Sequence, residues 1–321
     1  MKVVWIVAVA IVVQAAAIAS GAAQDYPVRD IRVLSGQAAG SGADAIVRFF
    51  AEMLRRKLNR NVIVENKPGI LGSFAGEALA RAPADGHTIF ISGYPAVSSN
   101  QLLFAKLSYN PVTDFAPVTT LISQPFVLVV SPKSPATTVQ ELTALLKAKA
   151  DGGSYGSSSS SGVALSELYK NAKALTTVQV PYRSTSEIMR DMTRGEIDFA
   201  FFDSGFSVQQ IRGGNIRGLA VSSANRSLAL PDVPTMAEAG VPGVQLASWF
   251  AVFVPAGTPS PIIQKLNSTF ADVLQLDETK KFAAGLGADL LPGTPDSLSR
   301  LQKEEIERWR HIVKIAKIAP Q

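Results

Sequence analysis

The residues of this chain that could do chemistry are concentrated first between Ile31 and Arg48. Ile31–Ser35 is apolar enough for a short buried strand, residues 36–42 are glycines and mostly small residues, and apolar positions at helical spacing follow Asp44. The free N–H groups of a first helical turn, together with the helix dipole, favour negative charge. The sequence therefore predicts a site that binds an anion.

Small polar residues also follow other predicted strands, and in open α/β sheets ligands collect beyond the carboxyl ends of the strands. We predict that loops from both halves of the chain line a ligand cleft. The predicted ligand-binding residues are Gln37, Ala38, Ala39, Gly40, Ser41, Gly42 and Asp44 in the first loop, then Ser92, Gly93 and Tyr94, then Ser157, Ser158, Ser159, Ser160 and Ser161, and finally Tyr182, Arg183 and Asp203.

The serine run, Asp203 and Arg183 each have a second interpretation. The serine run 157–161 is either a flexible linker or the start of a helix that offers hydroxyl and N–H donors, and the apolar helix pattern after it favours the second. Asp203 is either the N-cap of the next helix or an acceptor in the cleft, and both can hold. Arg183 either pairs with a ligand carboxylate or bridges two lobes.

Most catalytic and metal sites are excluded by composition. The chain has no cysteine and two histidines, His87 and His311, which we expect to be structural or solvent-facing because nothing pairs them with a nucleophile. No cluster of histidine, aspartate and glutamate has metal-ligand spacing. The first loop lacks the lysine of a phosphate-binding loop, and no G-x-S-x-G elbow follows a strand. We therefore predict no enzyme, no metal and no cofactor, with a serine hydrolase that uses residues 157–161 as a remote alternative.

The N-terminal segment has the pattern of an export signal. Lys2 precedes a short apolar run, and small residues at 21–23 suit cleavage, so residues 1–23 are predicted to be a signal peptide rather than an uncleaved anchor. The formal net charge is +5, but lysines and arginines are scattered, which argues against a nucleic-acid partner. We expect a periplasmic protein.

Strand and helix patterns alternate along the rest of the chain, which is typical of α/β folds with parallel sheets covered by helices. Its length suits two domains or one large α/β domain. We predict one lobe from residues 24–124 and 232–321 and a second from residues 125–231.

The chain resembles the Bug/TctC family of extracytoplasmic solute-binding receptors along essentially its whole mature length. The resemblance is carried by motifs in a specific order and spacing. They are Gly40-x-Gly42-x-Asp44 with Arg48, Val64-Glu65-Asn66-Lys67-Pro68-Gly69, Ala84-Asp85-Gly86-His87-Thr88, Val180-Pro181-Tyr182-Arg183, and RSLALPDVPTMAEAG from Arg226 to Gly240.

That resemblance implies a periplasmic-binding-protein-like (type II) fold with two α/β lobes and a closing cleft. It implies a monomer that captures a small carboxylate and delivers it to membrane subunits of a tripartite tricarboxylate-type transporter; a sensor that docks to a signalling protein is the alternative. Where the family commonly has Pro-Phe, this chain has Gly36-Gln37. Because an amide replaces an aromatic wall, we expect a ligand with an amide or hydroxyl group.

Overall fold

The computed structural model describes residues 26–149 and 152–315, so the predicted signal peptide lies outside the described residues. The described chain forms two compact units. Unit 1 comprises residues 26–121, 250–276 and 292–306, and unit 2 comprises residues 122–249, 277–291 and 307–315. The predicted lobe limits after residues 124 and 231 stay a prediction, and the two units divide the C-terminal third of the chain further.

Unit 1 contains helices on a mostly parallel sheet. Its elements are β1 (Ile31–Ser35), α1 (Gly42–Leu58), β2 (Val62–Asn66), a 3-10 turn (Ile70–Gly72), α2 (Ser73–Ala80), β3 (Thr88–Gly93), α3 (Tyr94–Val97), α4 (Asn100–Leu103) and the first part of β4 (Phe115–Val130).

Unit 2 continues from β4, and β4 itself passes from unit 1 into unit 2. The next elements are α5 (Val139–Ala148), β5 (Ser154–Ser157), α6 (Ser160–Lys173), β6 (Val178–Pro181), α7 (Thr185–Arg194), β7 (Phe199–Asp203), α8 (Ser204–Arg212) and β8 (Arg217–Val221). The chain then returns through β9 (Ala247–Pro255) to α9 (Ser260–Gln275) in unit 1, and ends with α10 (Asp277–Gly285), β10 (Asp289–Leu290) and α11 (Pro295–Ile315).

The sheet of unit 1 has the strand order β2-β1-β3-β9. β1 runs parallel to β2 and β3, and the register pairs Ser35 with Asn66 and Leu34 with Phe90. β9 is antiparallel to β3. Helix α1 covers this sheet with a buried apolar stripe that includes Phe50 and Leu54, while Arg55 pairs with Glu52 on its exposed face. The carboxyl ends of β1 and β3 therefore share one edge.

The sheet of unit 2 places β5 parallel to both β6 and β7, and β4 antiparallel to β7, β8 and β10. Val127, Ile188, Met192 and Phe202 are among the buried side chains of its core. Ring contacts between Phe199 and the two tyrosines Tyr155 and Tyr169 add a second packed cluster. The helices α6, α7 and α8 each begin just after a strand of this sheet ends.

The α/β class is confirmed, and most predicted strands and helices lie where the sequence indicates. The predicted parallel pairing is found for β1 with β2 and β3 and for β5 with β6 and β7, whereas β4, β8, β9 and β10 form antiparallel pairs. An apolar run reports only that a strand is buried on both faces, and a central antiparallel strand has the same pattern as a parallel one.

The last helix completes the core of unit 1. Gln302 on α11 is buried, and its Nε2 donates to the carbonyl oxygens of Val97, at 2.8 Å, and Pro111, at 2.9 Å. These bonds join the C-terminal helix to segments that lie about two hundred residues earlier in the chain. No helix in the described ranges combines the length and the apolar character needed to span a bilayer.

Candidate functional site

The loop between β1 and α1 ends in a serine cap. Ser41 Oγ accepts a hydrogen bond from the Asp44 N–H at 3.1 Å, and the Ser41 carbonyl accepts from the Ala45 N–H at 3.0 Å. The loop starts with a close backbone approach, because a Cβ atom added at Gly36 would overlap the backbone of Gly72. The predicted anion loop is therefore a defined turn that leads into a capped helix of 17 residues.

Asp44 lies beneath this loop and is fully buried. Its Oδ2 accepts from the Gly40 N–H at 2.9 Å and from Arg48 Nε at 2.7 Å, and its Oδ1 accepts from Asn66 Nδ2 at 2.6 Å. Burial raises the pKa of Asp44, but the hydrogen bonds from Asn66, Arg48 and Gly40 outweigh it and hold that pKa below its usual value. Asp44 is therefore an internal anion at neutral pH.

Asn66, at the end of β2, connects the two halves of the loop. Its Nδ2 also donates to the Gln37 carbonyl at 3.0 Å, and its Oδ1 accepts from Arg48 Nη2 at 2.7 Å. We call Asp44, Arg48 and Asn66 the loop clamp. The sequence motifs contained Arg48 and Asn66, but neither was predicted as a site residue. The spacing of Asp44 and Arg48, four residues apart on a helix, was the one available signal for their pairing.

The clamp and cap use only some of the N–H groups of the loop. Those of Gly40, Ser41 and Asp44 have acceptors within the loop or clamp, and that of Gln37 donates to Ser35 Oγ at 3.3 Å. Across the part of the chain that the structure describes, no hydrogen bond uses the N–H groups of four further residues. Those four donors belong to Ala38, Ala39, Gly42 and Ala43.

The predicted residues after β3 lie at the same sheet edge. The parallel register of β1 and β3 pairs Leu34 with Phe90, so Ser92 follows two residues beyond the last pair, at the carboxyl end of β3. Ser92 and Tyr94 are buried, however, and Ser92 Oγ donates to the Gly93 carbonyl at 2.9 Å. The side chains of this segment therefore support the edge, and the exposed residues beside them belong to the first loop.

In unit 2, the serine run begins a helix, so the predicted helix start is confirmed over the linker. Ser159 is the N-cap of α6, and its Oγ accepts from the Gly162 N–H at 3.1 Å. Ser158, Ser159 and Ser160 are exposed, whereas Ser157 and Ser161 are buried. Ser157 Oγ accepts from Gln179 Nε2 at 2.9 Å.

Tyr182 and Arg183 follow β6 in unit 2. The Tyr182 hydroxyl donates to Asp191 Oδ2 at 3.0 Å, and burial together with this carboxylate raises the Tyr182 pKa. Arg183 is exposed, and its guanidinium forms no ion pair with any residue that the structure describes. Both residues line an open depression of about 440 Å³ together with Pro181 and Glu187.

Asp203 ends β7 and caps α8, because its Oδ1 accepts from the Phe206 N–H at 2.9 Å. The predicted cap is confirmed, and the second predicted role of this exposed carboxylate, as a ligand acceptor, stays a prediction. His87 is buried beside Tyr26, with Nδ1 at 3.1 Å from the Asp85 carbonyl, which agrees with the structural role expected for it.

Comparison with known proteins adds relatives that span nearly the whole chain. The family model for the tripartite tricarboxylate transporter family receptor matches residues 46–318. BugT of Bordetella pertussis is 31% identical over 295 residues, which cover 91% of this chain and 90% of BugT.

Two solved structures of similar proteins contain small dicarboxylates. A protein of R. palustris with adipate is 33% identical with a TM-score of 0.76, and the match covers 92% of this chain and 100% of that protein. MatC from Rhodopseudomonas palustris with bound malate is 29% identical with a TM-score of 0.70, and the match covers 90% and 100%. These likenesses confirm the periplasmic-binding-protein-like α/β fold that the sequence resemblance implies.

Proposed function

We propose that this chain, which belongs to the tripartite tricarboxylate transporter family of receptors, captures a small carboxylate in the periplasm and delivers it to the membrane subunits of such a transporter. The family consists of receptors, and the proposed action is binding and release without a chemical step. A ligand changes the conformational equilibrium of a receptor only through its preference for one state.

The observation that carries this proposal is the set of free donors at the start of α1. Four N–H groups, those of Ala38, Ala39, Gly42 and Ala43, lack acceptors within the described residues, at the positive end of a 17-residue helix. The carboxylate nearest to them, Asp44, is buried and already paired with Arg48. A ligand carboxylate would therefore find N–H donors without acceptors, and the negative charge of Asp44 beside them is already balanced by Arg48.

Unit 2 offers a second group of donors. Ser158, Ser159 and Ser160 expose hydroxyl groups at the start of α6, and Arg183 supplies a cation without a carboxylate partner among the described residues. A guanidinium of this kind suits a carboxylate such as those of the adipate and malate found in the two similar structures. We expect Arg183→Gln to weaken carboxylate binding if these donors of unit 2 contact the ligand.

The direct test is to identify what the purified protein carries. Small molecules released on denaturation are measured by mass spectrometry, and each hit is then titrated by calorimetry beside adipate and malate. A carboxylate bound in the micromolar range or tighter supports the proposal. If every tight binder lacked a carboxylate, the proposed ligand class would be wrong. Glu52→Gln, on the exposed face of α1, is the matched control and should bind as the parent does.

Gln37 narrows the ligand class further. Its backbone N–H and carbonyl are bonded to Ser35 and Asn66, whereas its half-buried side-chain amide makes no hydrogen bond within the described residues. Because the backbone of Gln37 is fixed while its side-chain amide has no partner there, this amide can bond to a hydroxyl or amide group of the ligand. We therefore expect malate-like ligands, which carry a hydroxyl group, to bind better than unsubstituted dicarboxylates of equal length.

The variant Gln37→Phe tests this preference. In a thermal-shift series of dicarboxylates with and without hydroxyl or amide groups, we expect the variant to lose the advantage of the substituted ligands while it still binds the unsubstituted ones. Gln275→Phe, on an exposed end of α9, controls for the added aromatic ring. An unchanged ligand ranking in Gln37→Phe would show that the amide does not select the ligand.

A further inference from the structure

The loop clamp is a charged cluster in which Asp44 is buried and the Arg48 side chain is half exposed, and it has no role in the ligand contacts proposed above. We propose that Arg48 and Asn66 are positioning residues: with Asp44 they hold the 36–41 loop so that its free N–H groups stay available to the ligand, which none of the three side chains touches. This inference rests on the proposed function for its effect on affinity, but the ordering of the loop can be measured without any ligand.

The clamp holds the loop at both ends. Asn66 Nδ2 binds the Gln37 carbonyl at 3.0 Å near the start of the loop, and Asp44 Oδ2 binds the Gly40 N–H at 2.9 Å near its end. The register that pairs Ser35 with Asn66 places the amide group beside the loop. The residues between the two contacts, Ala38 and Ala39, contribute two of the four free donors.

Arg48 makes the cluster neutral as well as rigid. Its guanidinium donates to Asp44 Oδ2 and to Asn66 Oδ1, both at 2.7 Å, so that one planar group aligns the other two members. Without Arg48, the buried charge of Asp44 would lie uncompensated beneath the donors and would repel an incoming carboxylate. Removal of Asn66 leaves the charge balance between Asp44 and Arg48 intact, and it affects only how firmly the loop is held in position.

This difference gives the two residues distinct signatures. We expect Arg48→Gln to weaken carboxylate binding most at low ionic strength, because the repulsion from Asp44 is screened by salt. Asn66→Ala should weaken binding about tenfold at every salt concentration, since it removes preorganisation rather than charge. A purely structural role would lower the stability of both variants and would not separate them by salt dependence.

The experiment combines two measurements on the full chain: hydrogen exchange of the loop amides by NMR without ligand, and calorimetry with adipate and malate at low and high salt. The variants are Arg48→Gln and Asn66→Ala, with Glu52→Gln as control on the same helix. We expect the Gly40 amide to be protected in the parent and in the control, and to exchange faster in both clamp variants.

Faster Gly40 exchange together with weaker binding supports the inference. Unchanged Gly40 exchange in both variants would overturn it, and so would faster exchange with undiminished affinity. If the parent chain bound neither dicarboxylate, the proposed ligand class would fail, while the exchange data would still decide whether the clamp orders the loop. Urea unfolding of each variant checks that the comparison is made between folded proteins.

Discussion

The loop before α1 in unit 1 and the loop before α6 in unit 2 have the same local architecture but are held by different forces. Each follows a parallel strand, consists of small residues and ends in a serine N-cap, Ser41 in one and Ser159 in the other. The first loop is held by hydrogen bonds to the buried carboxylate of Asp44, which pairs with the half-exposed Arg48. The second is held by neutral contacts, such as the bond from Gln179 to Ser157.

Two consequences follow from this difference. A loop whose contacts share one buried carboxylate loses several of them at once when that carboxylate is removed, because Asp44 accepts hydrogen bonds from Gly40, Arg48 and Asn66. A loop held by hydroxyl groups loses about one hydrogen bond per substitution. We therefore expect the stability of the loop before α1 in unit 1 to be more sensitive to mutation and to acid than that of the loop before α6 in unit 2.

The largest expected effect is that of Asp44→Ala. This change leaves the Gly40 N–H, the Asn66 amide and Arg48 without their shared acceptor. At about 1 kcal/mol for each lost hydrogen bond, we expect it to lower the free energy of unfolding by about 3 kcal/mol in urea denaturation. Asp203→Ala, the matched loss of an aspartate at a helix start in unit 2, should cost about 1 kcal/mol. Equal losses in the two variants would contradict the contrast between the loops.

The pH dependence of stability tests the role of Asp44 in the first loop. Because the pKa of Asp44 is lower in the folded chain than its usual value of 3.8, its contribution is fully present above that value and is lost as the pH falls through the lower folded pKa. We therefore expect the stability gap between the parent and Asp44→Ala to be constant from about pH 7 to pH 5 and to narrow only below about pH 4. A gap that narrowed already near neutral pH would mean that another group controls the loop.

An intermediate effect is expected for Ser159→Ala. The substitution removes the cap bond to the Gly162 N–H and should destabilise unit 2 by about 1 kcal/mol in the same assay. Ser158→Ala is the neighbouring control, because among the described residues the Ser158 hydroxyl contacts only Thr185 Oγ1, at 3.4 Å, on the surface. A loss for Ser159→Ala as large as that for Asp44→Ala would show that the serine loop has support beyond the cap.

The smallest effect concerns the far ends of the two helices. α1 ends at Asn59 with φ 48°, and α6 ends at Ala174 with φ 50°, a left-handed conformation that asparagine tolerates and alanine does not favour. Ala174→Gly should therefore raise the free energy of unfolding by about 0.5 kcal/mol.

The reverse change at the end of α7 is the control for this prediction. Gly195 has φ 86°, and a Cβ atom there would meet open space, so Gly195→Ala should be destabilising through backbone strain alone. If Ala174→Gly lowered the stability, packing of the alanine methyl group would outweigh the strain.

Local signals made β1 and α1 predictable, since their burial follows the apolar pattern of adjacent residues. β5 could not be predicted, because Ser154–Ser157 has neither the alternation of apolar and polar residues nor the branched side chains of a typical strand. These residues form a strand because they pair with β6 and β7. The full length of β4 is not evident from the sequence either, because it begins at Phe115 and continues through Pro125, a residue that usually interrupts a strand.

The site was predictable at the level of loops and less so at the level of individual roles. Glycine content and the helix start located the donors of the first loop. The burial of Asp44 under the loop was not predictable, because its partner Asn66 lies 22 residues later and meets it only through the register of β1 with β2. Register depends on pairing across the sheet, which a single sequence does not encode locally.

The contact of Gln302 with the carbonyls of Val97 and Pro111 has a consequence for biosynthesis. The segments of unit 1 that contain Val97 and Pro111 emerge from the ribosome long before Gln302 on α11, whose side chain satisfies these two buried carbonyls. A nascent chain that stops before α11 leaves unit 1 incomplete. We expect the order of folding to differ from the order of translation, with the core of unit 1 closing only after synthesis has passed residue 302.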